Sequence, residues 1–471
     1  MRTLETDYLV IGAGATGMAF TDALIADSDA TVVMVDRRHA PGGHWNDAYP
    51  FVRLHQPSAF YGVNSVPLGH DRIDETGLNA GFYEQATAAE ICAYYRRVLE
   101  EQLLGSGQVS FLGSHEYAGE DDNGHRLVSR VTGVDTAVRA RKVVDGTYLD
   151  TQIPSQHVPG FEVEPGARVV TPNELADLPE PGDGFTVIGA GKTAMDTCTW
   201  LLDRGVSTTD IRWVRPRDAW VLDRAFTQPL DLVGGLIQGL ATTYEAAAEA
   251  EYLDELYARA EARGQIHRLN PEVEPDMFHG ATLSAAERQQ LGTITHVIRK
   301  GRVRSIGVDE LLLDEGPAPT TRRQEVHVDC TARGLGWAPA RPVFEDRRIT
   351  PQLTRFGMLP FSAALIGFLE TTERDEDDKN RLTRPNPLPR TNSRLDWAWA
   401  TYLGGVNEVA WGSEPDIQAW LQRSRLNIAQ ALAQHLDDSQ VQAAVTRFVK
   451  YGSVAIANLA RLLQDDPAPS H

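Results

Sequence analysis

The sequence predicts an α/β protein with two nucleotide-binding units, a β insertion and a helical C-terminal region. Three observations carry this. First, Tyr8–Ile11 is an apolar run of strand type, followed without a spacer by Gly12, Gly14 and Gly17, then by a helix-prone segment from Met18. Second, a further strand, Thr31–Val35, ends on Asp36 and closes a strand–turn–helix–strand unit. Third, the pattern recurs from Phe185, in FTVIGAGKTAMDTCTWLL, with Gly189, Gly191 and Ala194 in the place of a third glycine.

The chemistry follows from the spacing. Gly12 permits a tight strand-to-helix turn, Gly14 lets backbone approach a pyrophosphate, and Gly17 lets the helix pack closely on the strand. The helix N-terminus offers free N–H donors and a positive dipole end. Asp36 is placed to accept hydrogen bonds from an adenosine ribose. Both units are therefore expected to be Rossmann-type dinucleotide-binding domains. In the second, a helix is expected to begin near Met195, and the strand IRWVRPRD is expected to end on Arg215 and Arg217 where an acid would read a ribose hydroxyl. A carboxylate repels a 2′-phosphate and guanidinium groups bind it, so the expected second nucleotide is NADPH rather than NADH. Lys192 and Thr193, at the turn, are candidate phosphate contacts; the competing reading is a solvated strand end for the arginines and a surface lysine for Lys192.

Composition narrows the class. The 471 residues suffice for two or three domains, and 42% hydrophobic with 23% charged residues is ordinary for a globular protein. A net charge of −20 argues against nucleic acid or an anionic membrane as partner. Cys92, Cys198 and Cys330 form no CxxC pair and no metal-ligand spacing, so they read as small buried hydrophobes, without a dithiol centre or bound metal. No apolar run approaches the roughly 20 residues that span a bilayer, and no leader precedes the first strand, so a cytoplasmic location is expected.

Between the motifs the chain reads as follows. Residues 37–61 have many turn formers and little periodicity, and read as a long functional loop. Phe82–Leu104 has helical spacing; Gln108–Val144 alternates, broken at Asp121, Asp122, Asn123 and Gly124, a hairpin signal. Ile153–Pro181 reads as a proline- and glycine-rich linker. A helical insertion is expected over 229–263, a candidate lid or subunit contact that keeps a homodimer open. Strands return at Thr293–Leu313 and Glu325–Leu335, Thr371–Arg384 reads as an exposed charged loop, and Leu395–Leu463 as amphipathic helices whose Trp397, Trp399 and Trp411 are expected in the core. The expected domains are 1–170, 171–330 and 331–471.

In the loop after Asp36, Gly42, Gly43 and Trp45, then Tyr49, Pro50 and Arg53, then Pro57 and Tyr61, the sequence resembles the class B flavoprotein monooxygenases, which include the flavin-containing and the Baeyer-Villiger monooxygenases. The resemblance implies FAD on the first unit, with Gly43, His44 and Trp45 beside it and the segment through His55 reaching the flavin ring. It implies a three-stranded β-meander over 108–144, and Thr147 of Asp145–Gly146–Thr147 in the place of the family's Ala-Thr-Gly near the FAD. Cys330–Thr331–Ala332 replaces that triplet a second time, and residues 349–368 would complete the FAD domain. His55 stands where Baeyer-Villiger enzymes carry an aspartate, and their fingerprint is absent, His157 being a loose match. Asn64 falls where flavin-containing monooxygenases carry an asparagine beside the flavin. His55 and Asn64 are thus the candidate catalytic residues, a packed histidine and a turn asparagine being the alternatives. The implied activity is an FAD- and NADPH-dependent monooxygenase acting through a flavin C4a peroxide, with molecular oxygen and a small molecule as substrates and a nitrogen or sulfur as the oxidised atom. An NAD(P)H-dependent flavoprotein reductase or dehydrogenase, or a Baeyer-Villiger oxidation with a divergent fingerprint, stands as the alternative.

Overall fold

The computed structural model describes residues 2–122, 124–149, 151–320, 324–334, 338–387, 393 and 395–465. Its first sheet is built on β1 (Arg2–Ile11), β2 (Val32–Val35), β3 (Val109–Leu112) and β6 (Asp135–Asp145), with α1 (Ala15–Ala26) between β1 and β2. β1 lies between β6 and β2, and β3 lies beyond β2, all parallel. Strand Arg348–Ile349 joins β6 on its other side, so the chain returns to this sheet after the second unit. Helix Leu359–Glu370 then packs on α1 in the largest apolar cluster. The β-meander is β4 (His115–Asp121), β5 (Gly124–Ser129) and β6, while β3 belongs to the parallel sheet. Of the hairpin turn, Asn123 lies outside the described residues.

The helix expected from Phe82 begins at Ala88, as α2 (Ala88–Arg97), and continues through a π-helical stretch, Val98–Leu104. The cause is a capping box: Thr87 N–H donates to Glu90 Oε2 at 2.7 Å and Glu90 N–H to Thr87 Oγ1 at 3.3 Å. Upstream, Tyr83 bridges Ile73 in extended conformation.

The expected linker contains β7 (Glu162–Val163), β8 (Val169–Val170) and α3 (Pro172–Ala176). β8 is the edge of the second sheet, whose order is Val297–Ile298, β10 (Ile211–Val214), β9 (Gly184–Ile188), Glu325–Asp329 and β8, all parallel. Between β9 and β10 runs α4 (Lys192–Asp203). It starts at Lys192, three residues ahead of the expected Met195, because the glycine turn closes at Gly191 and a lysine and a threonine are tolerated in a first turn whose N–H groups need no partner inside the helix. Of the expected strand Glu325–Leu335, Leu335 lies outside the described residues.

The insertion folds as helices Val233–Glu249 and Leu253–Ala262, and the 27-residue C-terminal helix Ser439–Asp465 packs along the first of them. Trp397 and Trp411 are buried. Thr371–Arg384 is not a loop: Asp375 caps helix Glu376–Leu382, and Lys379 turns inward to Glu370 at 2.9 Å. Acids in the first turn and bases in the last, which read as a solvated charge run, are the pattern that suits the helix dipole. No helix among the described residues is long and apolar enough to cross a membrane.

Two glycine turns and the loop that joins them

Each parallel sheet leads its first helix out of a glycine turn. In the first, Gly12 has φ +94°, and a Cβ on Gly17 would stand 1.9 Å from the Gly12 carbonyl oxygen, so no side chain fits there. A Cβ on Gly14 would stand 3.5 Å from Gly43 Cα, and Gly42 N–H donates to the Ala13 carbonyl at 2.8 Å. The loop after Asp36 therefore comes back over the turn backbone against backbone. The N-terminus of α1 has no side-chain cap and no acid in its first turn. Asp36 is buried; Oδ2 accepts from Ala13 N–H and Oδ1 from Arg38 N–H, each at 2.7 Å. A carboxylate has about four acceptor positions, which leaves capacity for ribose hydroxyls. These features fit an FAD pyrophosphate and ribose.

The second turn is built alike. Gly189 has φ +136°, and α4 has no side-chain cap. Nothing lies within 4 Å of a Cβ built on Gly191, so the space over this helix N-terminus is open to a ligand.

Both turns are closed from below by an Asp-x-Thr crossing. Thr147 Oγ1 donates to Asp145 Oδ1 at 2.7 Å and Thr331 Oγ1 to Asp329 Oδ1 at 2.6 Å. Gly146 N–H donates to Ile11 O, and Cys330 N–H to Ile188 O, each at 2.9 Å. Asp145 and Asp329 stand outside the expected site set, although the repeat was there to be read in DGT and DCT.

The loop over the first turn reaches the second. Trp45 Nε1 donates to Tyr61 Oη at 2.7 Å, and the His44 ring lies 4.9 Å from that of Trp45. Burial, then the Arg38 charge, pulls the His44 pKa down to about 4. Further on, Tyr49 Oη donates to Asp196 Oδ2 at 2.9 Å, and Phe51 stacks on Trp200 with ring centroids 4.8 Å apart. Thr193 sits beside the Tyr49 hydroxyl. Lys192 does not project freely toward a phosphate: it is hydrogen-bonded to Asp196 and lies 3.7 Å from Glu287. His55 is an exposed residue, yet the protein around it withholds enough solvent to lower its pKa to about 4, and the Lys192 charge adds to this.

The remaining expected residues are placed as follows. Asn64 Oδ1 accepts from Ser424 Oγ at 2.9 Å and its N–H donates to Asp22 Oδ2 at 2.9 Å, which ties it to α1 and the C-terminal segment. Arg215 is buried over the Trp213 ring and paired with Asp218 at 2.9 Å; burial draws its pKa down to about 10. Arg217 keeps a side chain 40% exposed, with Asp276 at 3.6 Å.

No family model matches the sequence. The uncharacterized protein Rv2000 of Mycobacterium tuberculosis and the uncharacterized protein Mb2023 of Mycobacterium bovis are each 42% identical over 465 residues, covering 98% of this chain and 85% of theirs. The chain belongs to the family these mycobacterial proteins form. Among solved structures, an open form of cyclohexanone monooxygenase is similar at TM-score 0.52 and 13% identity, over 88% of this chain and 98% of that one. Polycyclic ketone monooxygenase from Thermothelomyces thermophila is similar at TM-score 0.51 and 12% identity, over 96% of this chain and 90% of that one. The fold is thus the mixed α/β arrangement with parallel sheets of these monooxygenases.

Proposed function

We propose that this protein is a flavoprotein monooxygenase that binds FAD at the first glycine turn and NADPH at the second, and inserts oxygen into a small molecule at nitrogen or sulfur. The observation that carries the reading is a single loop, residues 42–61, packed backbone to backbone on the first turn and reaching the first helix of the second sheet through Tyr49 and Phe51. Two nucleotide sites joined in this way suit electron transfer from one to the other.

FAD, when bound, supplies the two-electron redox chemistry and the reaction with oxygen. The N–H groups of α1 hold its pyrophosphate and Asp36 its ribose. At the second turn the free N-terminus of α4 takes the NADPH pyrophosphate. Arg217 meets the 2′-phosphate, and Arg215, occupied by Asp218, stiffens the end of β10. His55, held neutral, offers one donor and one acceptor without adding a charge. Its position in place of an acid, with the missing fingerprint, is what favours a soft heteroatom over a ketone carbonyl.

The test is to release the chromophore of the purified protein by heat, identify it by chromatography, and follow oxygen uptake with NADPH over amines, sulfides and ketones. FAD with product formed from an amine or sulfide supports the proposal. A colourless protein that takes up no FAD sinks it, and NADPH oxidation without oxygenated product moves the assignment to a reductase.

A further inference from the structure

Helix α4 presents one stripe to the loop of the other sheet. Lys192, Asp196 and Trp200 recur at intervals of four, so they lie one above another, and all three are half-buried. Trp200 takes the ring of Phe51, Asp196 takes the hydroxyl of Tyr49, and Lys192 turns back onto Asp196. Charges then alternate away from the loop: Lys192 faces Glu287 at 3.7 Å, and Glu287 pairs at 2.6 Å with Arg224, which is almost wholly buried. Arg224 also donates to Asn79 Oδ1 at 3.1 Å and to the Thr282 carbonyl at 3.3 Å. His55 sits within the field of all four charged groups.

Asp196 is the joint of this network. Its Oδ1 is taken by an ammonium and its Oδ2 by a phenol that burial and the carboxylate itself keep protonated. One oxygen held by each element suits it to tying the loop to the helix. Without Lys192 the half-buried carboxylate would lose its counter-charge, and without Tyr49 it would lose a hydrogen bond, which gives the arrangement a preferred geometry.

Resting on the two-nucleotide reading above, we propose that Asp196 is the positioning residue that registers the two nucleotide sites. It docks the 49–55 loop on α4, and so fixes His55 and the flavin-side wall relative to the open turn at Gly191.

Four variants test this: Tyr49→Phe, which removes one oxygen atom, Asp196→Ala, Asp196→Asn, and the Tyr49→Phe/Asp196→Ala double. The first readout needs no ligand: hydrogen exchange of the amides of residues 49–55 in the protein as purified. Tyr49→Phe and Asp196→Ala should each speed exchange about tenfold, the double should add little, and Asp196→Asn, whose amide oxygen still accepts from Tyr49 although its NH2 then faces Lys192, should speed exchange clearly less than Tyr49→Phe. The second is anaerobic flavin reduction by NADPH, where the same two single variants should lower the saturating rate about tenfold while the NADPH Kd moves less than about threefold. Wild-type exchange and reduction in Tyr49→Phe overturn the inference, as does a double variant whose effects simply multiply. Should Asp196→Ala fail to fold, Tyr49→Phe against Asp196→Asn still decides. If wild type is not reduced by NADPH, the functional reading fails, and the exchange data still decide whether Asp196 docks the loop.

Discussion

Arg425 donates through Nη1 to the carbonyl of Val63 at 2.7 Å, across 362 residues of chain. Through Nη2 it also holds the carbonyls of Tyr61, at 2.9 Å, and Ala59, at 3.0 Å. One guanidinium from the C-terminal segment thus pins the end of the loop that carries Trp45 and Tyr61. Replacing Arg425 with alanine leaves three carbonyls without that donor, and the expected loss is about 3 kcal/mol. Thermal unfolding with and without added FAD checks this: the variant should melt earlier, and FAD should recover part of the difference.

The glycines of the two turns are expected to respond differently to one methyl group. At Gly17 a Cβ would overlap the Gly12 carbonyl, so Gly17→Ala should cost more than about 3 kcal/mol and abolish folding or flavin binding. At Gly191 the space is open and φ is −86°, so Gly191→Ala should fold normally and weaken only the second nucleotide. Circular dichroism melts paired with NADP+ titration separate the outcomes; loss of the fold in Gly191→Ala would show that the turn, not a ligand, requires that glycine.

For the 2′-phosphate, Arg217→Ala should raise the Kd for NADPH about tenfold and leave that for NADH unchanged, as expected for loss of one charge-assisted contact. Arg215→Ala should instead lower the melting temperature, because the side chain is buried between Trp213 and Asp218. Equal affinities of the Arg217 variant and wild type for NADPH would count against the assignment.

His55, with its pKa lowered to about 4, is neutral throughout the working range. Its protonated form becomes significant only as pH falls toward that value, so kcat/KM should show no histidine-type limb between about pH 5.5 and pH 8. A limb near pH 6.5 that disappears in His55→Asn would contradict this placement.

The parts of the site that were legible in the sequence are those where stereochemistry restricts residue type at a fixed spacing. Gly12, Gly17 and Gly189 are glycines because positive φ or a carbonyl contact excludes a side chain. The contact between Tyr49 and Asp196 leaves no such trace: a loop tyrosine and a helical acid 147 residues apart belong to no period, and only packing brings them together. The strand Val169–Val170 is two residues long, too short for an alternation to register, so its proline- and glycine-rich surroundings read as linker. Helix Glu376–Leu382 hides in its own charge, since the burial of Lys379 depends on Glu370, a partner nine residues earlier whose inward turn no pattern announces.

The most direct test of two joined nucleotide sites is anaerobic titration of the purified protein with NADPH while the oxidised-flavin absorbance is followed. The absorbance should fall to its end point at about one NADPH per bound FAD, with NADH far less effective at equal concentration. A protein that carries no flavin, or whose flavin keeps its oxidised spectrum under excess NADPH, would contradict the account.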